Sequence, residues 1–181
     1  ALVNDGETVF DQAVTGTFAG TVQGGGLAIK EGAGQLILSG DSIAQWQVNA
    51  GTLTSAAERF TGDVAIGVDG TLNFEQIADA GYGGNLTGSG ALLKTGGGLL
   101  ELSADSGDFA GATTIAGGTL RLTNKLGGTM DVLANARLAG DGEVGSTVVR
   151  LRRRHCARRR RCDHCHARGQ RRHRSGNRLG L

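Results

Sequence analysis

Apolar and polar residues alternate in short runs along most of this chain, and each run breaks at glycine. Leu36 and Leu38, Val64 and Ile66, Leu72 and Phe74, Leu100 and Leu102, and Leu120 and Leu122 are each separated by one residue. A period of two puts successive side chains on opposite faces of a strand, and glycine at the ends of a run marks a turn. Helical spacing is not sustained anywhere before Val149. Ser55 to Phe60 and Phe74 to Ala80 are the only short stretches that invite a helical turn.

The runs also repeat. Lys30, Gly32, Gly34, Leu36, Leu38 and Ser39 return as Lys94, Gly96, Gly98, Leu100, Leu102 and Ser103, all at one offset of 64. Gly51-Thr52-Leu53 returns as Gly118-Thr119-Leu120 at an offset of 67, so a three-residue insertion lies between the matched parts. Gly40 closes the first copy where Ala104 stands in the second.

Short strands, glycine corners and an internal repeat together predict an all-β solenoid. At roughly 20 to 25 residues per coil the offset amounts to about three coils, and about six coils fit into residues 1–149. Each strand then pairs with its equivalent one coil away, ~4.8 Å along the axis. A single coil buries four to six aliphatic side chains worth about 1.5–3 kcal/mol each. Ordering its backbone costs about 1–2 kcal/mol per residue. Stacking is therefore what makes such a structure stable.

Composition divides the chain after Val149. The body carries 16 acidic against six basic residues, a net of −10, and contains no cysteine, histidine or proline. Residues 150–181 carry 13 arginines and one aspartate, a net of +12, with all three cysteines and all four histidines. The overall +2 hides two different polymers. A cysteine-free body holds together without disulfides. No apolar run approaches the length of a membrane span, and Ala1 does not open a signal peptide, so direct membrane insertion is not expected.

Gly88-Ser89-Gly90-Ala91-Leu92-Leu93-Lys94-Thr95-Gly96-Gly97-Gly98-Leu99-Leu100-Glu101-Leu102-Ser103, followed by Gly111 to Leu120, resembles the passenger-associated β-strand repeat of bacterial autotransporters. Gly26 to Thr54 is similar with less strict spacing, and Val132 to Gly145 is similar to the stretch near the end of such passengers. The resemblance covers about Gly16 to Val149. It implies a right-handed parallel β-helix, a structural or adhesive stalk exported through its own C-terminal β-barrel to the cell surface, and a ligand on a host or neighbouring cell. On this reading the signature residues are Lys30, Gly32, Gly34, Leu36, Leu38, Gly40, Gly51, Leu53, Lys94, Gly96, Gly98, Leu100, Leu102, Gly118 and Leu120. A second reading makes the segment the support of a larger autotransporter enzyme.

The tail suggests other chemistry. Its arginines could neutralise nucleic-acid phosphates. Cys156, Cys162, Cys165, His164 and His166 could hold zinc, and Cys162 to His166 fits a c-type haem attachment pattern. Read one base out of frame, however, arginine codons of the form CGN become GNC, encoding Gly, Ala, Val or Asp. The codons from His155 onward then permit the Ile-Ala-Pro-Gly expected at this place in the family. The expectation is an out-of-frame, disordered basic tail from 150 to 181 with no nucleic-acid role.

The body offers no catalytic set. Gly40-Asp41-Ser42-Ile43 resembles the nucleophile block of a lipase family, but the body lacks the histidine that such a site needs. Gly88-Ser89-Gly90 with Lys94-Thr95 falls short of a phosphate loop, because Leu93 stands where glycine is required. Asp105, Asp108, Asp141 and Glu143 read as a solvated acidic face rather than a calcium site. Trp46, Tyr82 and Phe109 read as coil packing. No cofactor and no enzymatic activity are expected.

Overall fold

The computed structural model describes residues 1–149, and the arginine-rich tail with its cysteines and histidines lies outside them. The alternating runs form strands that pair only in parallel, coil upon coil, in a solenoid of about seven turns with three faces. The first face carries Glu7–Asp11, Leu27–Glu31, the opening parts of Gln45–Ser55 and Val64–Glu75, and Leu86–Gly88. The second carries Gly16–Phe18, Gln35–Leu38, the closing parts of those two long strands, Ala91–Thr95, Ala112–Ile115, and the closing parts of Leu126–Val132 and Val144–Val149, whose first residues belong to the first face. The third begins with Leu2–Val3 and Val22–Gln23, narrows to bridges at Ser42 and Phe60, and widens into Ala80–Tyr82, Leu99–Leu102, Gly118–Leu122 and Ala136–Gly140.

Successive residues of one inward column count the coils. On the second face Leu36, Leu53, Leu72, Leu92, Thr113 and Met130 stand in register. The intervals run from 17 to 21 residues, at or below the lower end of the 20 to 25 expected, so the body holds about seven turns where about six were expected. Glycine is what shortens the coil, because it lets the backbone turn within two or three residues. Of the two stretches that invited a helix, the first holds one 3-10 turn, Ala57–Arg59, and the second holds none.

The repeat does not fall on a whole number of coils. Three coils above Leu36 the column reaches Leu92. The repeat equivalent of Leu36 is instead Leu100, further along the chain by one corner and lying on the third face. The offset is three coils and one face.

Leu36, Leu53, Leu72 and Leu100 have no solvent exposure, and the aliphatic columns fill the interior throughout. Inside the lower coils a chain of rings runs from Phe18 to Phe10, Trp46, Phe60, Phe74 and Tyr82, with centroids 4.9 to 6.2 Å apart. These are the separations at which aromatic pairs attract. Both polar rings satisfy their donors inside: Trp46 donates from Nε1 to Ser42 Oγ at 2.8 Å, and the Tyr82 hydroxyl donates to the Gly62 carbonyl at 2.6 Å. Phe109 is also fully buried.

Burial and the neighbouring Asp63 raise the Tyr82 phenol well above its ordinary range. The folded chain therefore keeps a proton that the unfolded chain releases near pH 10, so this stabilisation is complete below pH 10 and declines above it. Tyr82→Phe should cost about 1 kcal/mol at pH 8 through the lost hydrogen bond. By pH 11 the balance should move by about 1.4 kcal/mol against the parent, enough to cancel its advantage and slightly reverse the order. Urea denaturation of both proteins at the two pH values measures the gap, and a gap independent of pH would contradict this account.

Candidate functional site

The two matching copies of the repeat share one buried device. Lys30 and Lys94 occupy inward positions at the ends of Leu27–Glu31 and Ala91–Thr95, with 0% and 1% of their surface exposed. An ammonium has three protons and no acceptor. Lys30 Nζ donates to the carbonyls of Glu31, Gly32 (2.8 Å) and Ala50 (3.3 Å). Lys94 Nζ donates to the carbonyls of Thr95 (2.7 Å), Gly96 (3.1 Å) and Gly117 (3.2 Å). In each case two acceptors belong to the lysine's own corner and the third to the same corner one coil on. The ammonium therefore clamps two coils together where the chain turns.

Local sequence makes the corner possible. Gly32 and Gly96 adopt φ of 71° and 76°, in the left-handed region. A Cβ on either would come within 2.4 Å of the Gln12 carbonyl oxygen or 2.2 Å of that of Gln76, respectively. The corner thus excludes side chains both by conformation and by the closeness of the coil below. Gly51 and Gly118 turn the next coil over the same corner. Leu36, Leu38, Leu53, Leu100, Leu102 and Leu120 then anchor the flanking strands in the core, and Gly34, Gly98 and Gly40 pass close to the carbonyls of Val14, Ala78 and Gly20.

Burial pushes both ammonium groups below the ordinary lysine range, opposed by Asp11 and Glu31 around Lys30 and by Asp79 near Lys94. The folded state thus holds these protons less tightly than the unfolded chain does. Their contribution to stability grows as pH rises toward the ordinary lysine range, opposite in sign to that of Tyr82.

The clamp extends to a partner that the repeat reading missed. Gln12 N and Gln76 N donate to the carbonyls of Glu31 and Thr95, and Gly34 N and Gly98 N donate back to the carbonyls of Gln12 and Gln76. These glutamines share the offset of 64, within Phe10-Asp11-Gln12 and Phe74-Glu75-Gln76. Carrying the comparison one coil back from Leu27 would have found them. Gln76 does more: its fully buried side chain accepts from Ala57 N at 2.9 Å and donates to Glu58 Oε2 at 2.7 Å and the Ala78 carbonyl at 2.9 Å. It thereby fixes the 3-10 turn to the solenoid wall.

The other candidates have structural occupations. Ser42 is 2% exposed and its hydroxyl is held by Trp46, so it has neither the access nor the base of a nucleophile. Lys94 is committed to carbonyls and is not offered to a phosphate. Asp105, Asp141 and Glu143 border a shallow pocket of about 320 Å³ that also contains Lys125, and Asp105 accepts from Gly107 N at 3.0 Å. Asp108 does not line that pocket, and no metal-ligating group of three acidic, His or Cys side chains occurs among the described residues. The zinc, haem and nucleic-acid readings fall on residues outside the described part.

Replacing Lys30 or Lys94 with methionine keeps the chain volume and removes all three donors. Each substitution should cost about 2–4 kcal/mol, since carbonyls lose charge-assisted bonds inside the fold. Amide hydrogen exchange should accelerate near Gly32 and Ala50 in Lys30→Met and near Gly96 and Gly117 in Lys94→Met. Unchanged exchange at those corners would show that the lysines tie nothing.

Comparison with known proteins agrees with this geometry. The sequence signature of the passenger-associated-transport-repeat matches residues 29–54 and 92–122, the two clamped segments. The chain is 42% identical over 107 residues to the adhesin BmaC autotransporter of Brucella suis, covering 58% of this chain and 3% of that protein. It is 28% identical over 123 residues to the uncharacterized lipoprotein YdeK of Escherichia coli, covering 66% and 9%. The chain therefore spans a small fraction of the length of either relative, and no solved structure matches it. Two copies of the passenger transport repeat, built round equivalent lysine corners in a chain that aligns with part of an autotransporter adhesin, make this sequence similar to an autotransporter passenger region.

Proposed function

We propose that this chain is a length of stiff, adhesive passenger stalk, carried to the cell surface through a C-terminal β-barrel and acting by shape and surface rather than by catalysis. The observation that carries this reading is the parallel ladder itself. It continues from coil to coil, and the buried Lys30, Lys94 and Gln76 along it are committed to backbone groups and, for Gln76, to Glu58 as well. The relative of known role is named an adhesin, which supports a sticky outer surface. No helix among the described residues is long and apolar enough to cross a membrane.

The test is display of the chain on Escherichia coli through an autotransporter barrel, beside cells carrying the empty barrel. Displayed cells should bind epithelial monolayers more strongly. About seven coils should raise the surface height by ~34 Å in force microscopy. Equal adhesion would remove the adhesive part of the proposal, and an unchanged height would remove the stalk.

We read the basic tail as out of frame. Sequencing the gene across the Val149 codon should show that a one-base shift restores Ile-Ala-Pro-Gly. An intact frame through Leu181 would overturn that reading and reopen metal and nucleic-acid binding by the tail.

A further inference from the structure

We propose that the building block of this solenoid is a unit of three coils and one face, so that each successive copy is turned by one face about the axis.

The equivalence reaches well beyond the transport-repeat signature. Phe10, Gln12, Phe18, Gly20, Val22, Gly24 and Ala28 correspond, at the same offset of 64, to Phe74, Gln76, Tyr82, Gly84, Leu86, Gly88 and Leu92. Wherever these residues sit on strands, the second lies one face further round. Phe10 stands on the first face and Phe74 on the second. Phe18 stands on the second and Tyr82 on the third. Val22 stands on the third and Leu86 on the first.

Local geometry is carried over with the rotation. Gly24 and Gly88 have φ of 101° and 95°. Ser39 N donates to the Phe18 carbonyl at 3.1 Å, and Ser103 N to the Tyr82 carbonyl at 3.2 Å. Both lysine clamps keep their three acceptors, although Lys30 closes the corner between the first and second faces and Lys94 the corner between the second and third.

The fold therefore accepts the same clamped strand–corner–strand unit at either of two corners. The widths of the faces follow it. The five-residue strand Leu27–Glu31 before the clamp lies on the first face in one copy, and its counterpart Ala91–Thr95 lies on the second in the other. Beyond Gly88 the first face is reduced to bridges at Phe109 and Leu126, while the third widens. A stalk extended by this step turns equivalent outer surfaces in three directions and repeats after three copies, about ten coils or ~48 Å. This inference concerns geometry alone and does not depend on what the outer surface binds.

Paired cysteines in the full chain, with Cys156, Cys162 and Cys165 changed to serine, decide it. Leu93 is the counterpart of Ile29, whose column continues through Gln47, Ala65 and Thr87. If copies stacked without rotation, Leu93 would stand over Ala65. In the stepped arrangement it stands over Asn73, and Thr95 over Glu75. Dibromobimane, which fluoresces when it bridges two neighbouring thiols, should bridge Asn73→Cys/Leu93→Cys and Glu75→Cys/Thr95→Cys, and the in-column control Ala65→Cys/Thr87→Cys. It should leave Ala65→Cys/Leu93→Cys unbridged. Bridging of that last pair, or failure of both stepped pairs while the control bridges, overturns the proposal.

Discussion

Three backbone carbonyls brought together at a corner need a donor with three protons, and a buried lysine is the side chain that supplies them from one atom. Two of the carbonyls lie on the lysine's own coil and one on the next, so the same group that closes the turn also sets the spacing between coils. A methionine of similar length brings no protons, and arginine's planar fork cannot converge on three carbonyls as an ammonium does. Desolvation opposes a charge at this place, which is why both groups are held below their usual range. The nearby carboxylates of Asp11, Glu31 and Asp79 offset part of that cost.

Closure of the corner then governs the core. With the turn fixed in two glycine-lined residues, inward side chains of successive coils fall into columns, and their bulk must be shared between neighbours. Trp46 illustrates the sharing: it pairs in register with the small Ala28, and its ring reaches Phe10, one coil further away. Where an insertion of different shape is accommodated, at Ala57–Arg59, the glutamine Gln76 satisfies a backbone donor and holds a carboxylate in one contact set. The exposed ion pairs Arg59–Asp41 and Arg121–Glu101 contribute little beside these buried interactions.

The strands and the repeat were legible in sequence because both depend on local periodicity, which residues such as Leu36/Leu38 and Leu100/Leu102 display directly. The lysine positions were legible too, but only as matching letters. Nothing in the spacing says that an ammonium will turn inward, since an isolated lysine in an alternating run ordinarily faces water. The number of coils was underestimated because coil length is set by how tightly glycine corners close, a three-dimensional quantity. The rotation between copies escaped for the same reason: the spacing from Leu36 to Leu100 gives no count of faces until the register of Leu36, Leu53, Leu72 and Leu92 is known. Gln76 shares the offset of 64 with Gln12 and so could be found in the sequence, but its hold on the 3-10 turn could not, because Ala57 and Glu58 lie 18 to 19 residues away and become its neighbours only through coiling.

The division of labour inside the coil bears on function. Inward positions are restricted to groups that fill a column or tie a corner, and even part of the outer wall is used for cohesion. Gln35 donates to Thr54 Oγ1 at 2.8 Å, Asn73 reaches the same oxygen at 3.5 Å, and Thr95 donates to Asn73 Oδ1 at 3.1 Å, a hydrogen-bonded row running across four coils. On the proposed adhesive reading, recognition is left to the remaining outward residues, which can vary without disturbing the ladder or its clamped corners. A body with a net charge of −10 also repels its neighbours sideways, which favours separate rods over lateral bundles at moderate ionic strength. On the proposed adhesive reading, binding to another surface must overcome or exploit that same charge, which makes the acidic exterior as much a part of the contact as the stiffness beneath it.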